Sequence, residues 1–222
     1  MLKHLVMLLS FALPWNARRR LLEKQFGFSI HPTSRIGFAW IAPRHLVMEE
    51  NSRIGHFTFC KSIDRLHLSK GAMIGQLNWI TGFPSGHERH FAHQPDRRPE
   101  LILEAHAGIS SRHFFDCTAG IRIGAFATVA GFRSQLITHS IDLAAGRQSS
   151  EPIDIGEYCF IGTESVILGG SVLPHHSVLG AKSLLNKKLE TPYRLYGGVP
   201  AHPIKELPED LQYFRRTEGF VW

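Results

Sequence analysis

The sequence has no run of about 20 apolar residues, the length a membrane-spanning helix needs. Its most apolar stretch, Leu5 to Trp15, is far shorter, so it is read as a short helix packed on the domain or on a neighbouring subunit. Shallow contact of residues 1–20 with a lipid surface is the second reading. The stretch has an apolar centre like a signal peptide's, but Arg18, Arg19 and Arg20 lie downstream and no small-x-small cleavage site precedes them. Cysteine is scarce: Cys60, Cys117 and Cys159 are odd in number and form no CxxC, which excludes a disulfide framework and a cysteine zinc site and makes a reducing compartment the default. Charge of either sign is short too. Lysine and arginine exceed aspartate and glutamate by 25 to 19, a dispersed excess of +6 that favours anionic ligands without marking a nucleic-acid binder. At 222 residues and 43% apolar, the chain has material for one packed domain with appendages.

What is present is a beat of six. Ile155, Ile161, Ile167, Leu173, Leu179 and Leu185 follow one another at that interval. The period is neither 3.6 nor 2, so neither an amphipathic helix nor a lone strand explains it. A small side chain stands four residues after each of the first five: Cys159, Ser165, Ser171, Ser177 and Ser183. A large inward residue, a small inward residue and a turn in every six describe one flat face of a coil. Three such faces close a triangle, so the period predicts a parallel β-helix. Upstream, Leu103, Ile109, Phe115 and Ile121 keep the beat, Ile123-Gly124 restarts it, and Ile36-Gly37, Ile54-Gly55 and Ile74-Gly75 open successive coils. The repeat thus spans 30–190, after an N-terminal helical segment (1–29) and before a C-terminal tail (191–222). Two segments, 81–100 and 140–152, fall out of frame and are read as loops on the outside of the solenoid.

The stretch from "IDIGEYCFIG" through "GAKSLLNKK" to "YGGVPAHPIKEL", with the arrangement "TH…D…R…PIDIG" that begins at Thr138, resembles the hexapeptide-repeat acyltransferases. These include the galactoside and maltose O-acetyltransferases and the colanic-acid-type acetyltransferases of surface polysaccharides. The resemblance implies an all-β, left-handed parallel β-helix. It implies a cytoplasmic homotrimer, peripheral to the inner membrane if the N-terminal helix touches lipid, that moves an acetyl group from acetyl-CoA to a hydroxyl of a sugar or glycan precursor. It covers residues 1–30 and 81–100 poorly.

Acyl transfer from a thioester to a hydroxyl needs a base for the hydroxyl proton, and imidazole suits that role. By position before a projecting loop, His139 matches the family's base, with Asp142 the nearest side chain to orient its other ring nitrogen. His113 occupies a frame position that is otherwise small, four after Ile109, and is the second catalytic candidate; Arg112 and Asp116 beside it are candidates for holding the acceptor. Carried over by resemblance, the coenzyme A positions are Thr163, Ala181, Ser183, Asn186, Lys187, His202 and Lys205. Phe160 stands where the family often has tryptophan, and His202 where it often has arginine.

No metal is expected. β-helix carbonic anhydrases need two histidine ligands five residues apart, and neither Ser134 nor Ala144 supplies one to His139. His87, His90 and His93 lie in an out-of-frame loop and read as solvated. Two further readings stay open: N-acetylation of an amino sugar on the same coils, and a non-catalytic β-helix scaffold.

Overall fold

A computed structural model describes residues 2–219 and 221; Phe220 and Trp222 of the aromatic tail lie outside the described residues. From Ser29 onward the chain winds as a triangular solenoid of short strands. Its coils are Ser29–Ala42, His45–Lys61, Arg65–Thr81, Glu100–Asp116, Ile121–Ile137, Ile153–Leu168 and Val172–Leu185, each contributing one strand to each of three faces. Face A holds the first strand of every coil, face B the second and face C the third.

Each step of the six-residue beat lands on the inward column of the next face. On face B, Ile36, Ile54, Ile74, Ile109, Val129, Ile161 and Leu179 pair in parallel register, one directly above another, and all are buried. Between the columns sit the small residues. Ser165, Ser171, Ser177 and Ser183 are interior, and the Ser165 and Ser171 hydroxyls are tied to backbone carbonyls. The protein is a left-handed parallel β-helix. Face B runs on past residue 190: Arg194–Gly197 pairs beside Val178–Leu179, and His202–Glu206 folds back antiparallel on it.

Two helices close the N-terminal end, α1 (Leu2–Ser10) and α2 (Trp15–Phe26). Pro14 separates them, because a proline disfavours helix in the residue before it and is well placed to start the next. Gly27, at φ 71°, ends α2 in the left-handed region that favours glycine. Arg18 of α2 is buried and donates to the carbonyls of Ile36, Gly37 and Ala39, so a guanidinium satisfies carbonyls on the edge of the first coil. Desolvation pulls its pKa down to about 10, which leaves it charged.

The segment after Phe214 returns along the edge between faces A and B. There a column of rings, His106, Phe126, Tyr158, His176 and Tyr193, stacks at successive centroid spacings of 5.0, 4.7, 4.9 and 4.9 Å. Every one of these residues has positive φ, at the tight corner of its coil. Arg216 covers the column, 3.9 Å from the Tyr213 ring centroid and 5.6 Å from that of Tyr158. The Tyr158 hydroxyl donates to its carbonyl.

Candidate functional site

Both out-of-frame segments leave the solenoid at the same edge, between faces C and A. One follows the third coil and the other the fifth. A solenoid stacks these exits with a single coil between them, so segments some 50 residues apart in sequence become neighbours. Residues 139–150, expected as a projecting loop, form a hairpin, with His139–Asp142 antiparallel to Arg147–Ser150. The 82–99 segment docks against it. The Gln94 side chain donates to the Ser150 carbonyl at 2.9 Å and accepts from the Ser150 amide and hydroxyl at 3.1 and 2.9 Å. His90 Nδ1 meets the Gln148 side-chain oxygen at 2.7 Å.

His139 stands where this hairpin leaves the coil. The preceding residue, Thr138, is buried and fixes the exit: its hydroxyl donates to the Asp116 carbonyl and accepts from the Ala119 amide. The Nδ1–H of His139 donates to Asp116 Oδ2, while Asp116 Oδ1 accepts from the Thr118 amide at 2.9 Å. The aspartate side chain is 13% exposed and the imidazole 32%. Phe83 and Phe91 present themselves edge-on to the His139 ring, with centroids at 6.0 and 6.2 Å. An imidazole held in this way carries its proton on Nδ1 and keeps the Nε2 lone pair for a proton from elsewhere. Beside it lies an open groove of about 400 Å³ whose walls include Ser140, Ser149, Leu168, Gly169 and Asn186.

Not all the candidates read from the sequence reach this site. Asp142 is not the orienting carboxylate: its Oδ1 accepts from the Ala144 and Ala145 amides and caps its own hairpin turn. Asp116, expected to hold an acceptor, accepts one hydrogen bond on each oxygen, from His139 and from the Thr118 amide. His113 does not face the site. It is 0% exposed inside the solenoid, bonded to Ser110 and the Ser134 amide, and desolvation lowers its pKa to about 4. Arg112 lies exposed at the edge between faces B and C, with φ 63°.

Asn186 shares the groove with His139, and Lys187 follows it at the same edge, exposed. Thr163, Ala181 and Ser183 occupy the B–C edge. Thr163 is bonded to Phe132 and the buried Ser183 to the Gly198 amide. His202 and Lys205 are exposed on the last strand of face B. Within one chain, therefore, the coenzyme A candidates lie on two edges and on face B rather than in one groove. Sequence reasoning missed Phe83, Phe91, Gln94 and Gly169, the first three because they stand in a segment with no frame. The signal for Asp116 was present: it pairs with Ile137 in the register of face C, one coil beneath His139.

Among the described residues, the three side chains close enough to share an ion are Glu157, His175 and His176, on the A–B edge. His87, His90 and His93 are not such a group. The three cysteines are free and buried; burial raises their thiol pKa values, that of Cys159 to about 12.

No protein-family model matches the chain. In sequence it is similar to a chloramphenicol acetyltransferase of Klebsiella aerogenes, 26% identical over 160 residues that cover 67% of this chain and 75% of the relative. A chloramphenicol acetyltransferase of Agrobacterium fabrum is 24% identical over 155 residues, covering 67% and 74%. In structure it is similar to AntD, an N-acyltransferase from Bacillus cereus, in complex with dTDP and coenzyme A: TM-score 0.56, 15% identity, 89% of this chain and 93% of that one. AntD with dTDP-4-amino-4,6-dideoxyglucose and coenzyme A gives a TM-score of 0.55, with 16% identity and coverage of 86% and 89%. The fold is thus that of the hexapeptide-repeat β-helix proteins. With the repeat itself and the sequence relatives, the chain resembles the hexapeptide-repeat acyltransferases.

Proposed function

We propose that the protein transfers an acetyl group from acetyl-CoA to a hydroxyl of a sugar or surface-polysaccharide precursor, with His139 as general base and Asp116 as the residue that positions it. The observation that carries this reading is the His139–Asp116 pair at the mouth of a rigid coil, under two docked loops. His139 Nε2 takes the acceptor proton as the acceptor oxygen attacks the thioester carbonyl carbon. The C–S bond then breaks, and the imidazolium returns the proton to the leaving sulfur. General base catalysis of this kind contributes about 10²–10⁴-fold. Asp116 stabilises the imidazolium and fixes the ring's tautomer.

A homotrimer supplies the rest of the donor site. Asn186 and Lys187 of one copy would face Thr163, Ala181, Ser183, His202 or Lys205 of the next, which brings the two edges together around coenzyme A. Lysine serves there as a point charge for phosphate. The acceptor enters between the hairpin and the 82–99 segment, where Phe83 and Phe91 offer apolar edges beside the base. The acetyl-CoA supply puts the reaction in the cytoplasm.

The test is release of coenzyme A thiol from acetyl-CoA across a panel of sugars, nucleotide sugars and their amino analogues, with the product then treated with hydroxylamine. An ester is cleaved and an amide is not, so loss of the acetyl group identifies O-transfer. A hydroxylamine-stable product shifts the assignment to N-acetylation. No thiol release with any acceptor leaves a β-helix scaffold as the function.

A further inference from the structure

In a solenoid, position along the sequence is position along the axis, since each coil rises by one inter-strand spacing of roughly 4.8 Å. The positive excess, dispersed in that only Arg18, Arg19 and Arg20 form a run, is nevertheless uneven on that axis. Residues 1–80 hold eleven of the lysines and arginines and four acidic residues, a net +7, and the remaining residues sum to −1. Those first residues are α1, α2 and the first three coils, so the whole positive excess is gathered at one end of the molecule.

That end also carries an apolar helix with apolar residues on both sides. α1 buries Met7 against the solenoid and leaves Leu5, Leu8 and Leu9 at 52, 55 and 63% exposure, with Leu13 just beyond it at 39%. The spacings of three and four residues put Leu5, Leu8 and Leu9 on one stripe of α1. The stripe continues into aromatic side chains: Phe11 lies 6.3 Å from Phe38, and Phe38 and Phe57 are 56 and 68% exposed. Arg20 and Lys24, both exposed, stand on the adjoining α2. No described helix is long and apolar enough to cross a membrane. A short helix with an exposed apolar stripe and basic surroundings lies in a bilayer interface instead, held by two modest attractions that add.

We propose that α1 and the basic end of the solenoid form a docking surface for an anionic lipid bilayer. A second copy of the chain is the weaker occupant, because an end-to-end contact through this stripe would set one +7 end against another. His139, in the fifth coil, stands about four inter-strand spacings, roughly 20 Å, along the axis from the first coil, so docking and chemistry are separable.

The experiment is co-sedimentation of the full chain with vesicles of phosphatidylcholine alone and with vesicles one-third phosphatidylglycerol. The expected result is binding to the anionic vesicles that weakens as salt is raised, and little binding to the neutral ones. The triple variant Leu5→Gln, Leu8→Gln, Leu9→Gln lowers anionic binding by about tenfold or more while keeping its thermal midpoint, because these side chains are exposed. Arg20→Glu with Lys24→Glu lowers anionic binding independently of α1. Wild-type protein that stays in the supernatant at low salt overturns the proposal, as does undiminished binding by both variants. A leucine variant that binds vesicles like wild type but dissociates in analytical ultracentrifugation assigns the stripe to a second copy.

Discussion

Replacing Asp116 by asparagine removes no volume and, at a partly buried position on the coil edge, should disturb nothing but hydrogen-bond roles. The carboxylate accepts from two donors at once, His139 Nδ1–H on Oδ2 and the buried Thr118 amide on Oδ1. A side-chain amide has one acceptor oxygen and cannot serve both. If that oxygen stays with Thr118, the amide NH₂ points at His139 Nδ1. The ring then moves its proton to Nε2, and the base loses the lone pair it needs. If the oxygen turns to His139, the Thr118 amide is left buried and opposed by a donor, at about 1–3 kcal/mol. The first outcome lowers kcat by about 10²–10⁴-fold, the full worth of the base, with the KM for acetyl-CoA nearly unchanged. The second costs stability instead. Thiol-release kinetics and the melting curve of Asp116→Asn separate the two, and the ¹⁵N shifts of the His139 ring report the tautomer directly. A variant with kcat within about threefold of wild type, unchanged stability and an unchanged tautomer would remove Asp116 from the mechanism.

Three further outcomes follow from the same geometry. Gln94→Ala removes the three bonds that tie the 82–99 segment to Ser150; it should loosen that segment by about 1–3 kcal/mol, seen as faster proteolytic nicking there and a raised acceptor KM, and unaltered nicking contradicts the docking. His113 is neutral in the fold, with its pKa lowered to about 4 from 6.5, whereas the unfolded chain takes up that proton below 6.5. Its contribution is therefore complete above pH 6.5 and is lost as pH falls toward 4, on the order of 3 kcal/mol. His113→Leu, less stable at neutral pH because the Ser134 amide loses its acceptor, should show a shallower acid slope than wild type in denaturant titrations, and parallel slopes would count against the assignment. Arg216→Ala uncovers the ring column on the A–B edge and should lower stability by about 1–2 kcal/mol without altering acetyl transfer, since that edge lies away from His139; an activity loss at unchanged stability would tie the tail to the site.

The parts of the molecule legible in the sequence are those that a repeat dictates. Ile155, Ile161 and Ile167 announce one coil, one on each of its three faces, because each coil must bury a large residue per face, and the loops at 81–100 and 140–152 are legible as breaks in that beat. Their partnership was not, because it depends on two exits stacking at one edge, which no local pattern encodes. Asp116 was read as an acceptor contact and Asp142 as the partner of His139, since sequence proximity favoured Asp142, whereas coil register puts Asp116 beneath the hairpin and its carboxylate on the His139 ring. His113 broke the small-residue rule for a packing reason, since Asn78, Ser110 and Ser134 give it partners inside the solenoid. The tail folds back on a ring column, and those rings recur about once per coil without joining the hexapeptide frame.

Every step of the proposed chemistry depends on His139 as the base. The initial rate of thiol release from acetyl-CoA by His139→Ala meets that dependence head-on, taken with the best acceptor of the panel and with folding and oligomer size checked against wild type. The expected variant is an intact protein whose rate falls by about 10²–10⁴-fold. A folded variant that transfers acetyl at the wild-type rate would show that His139 is not the base.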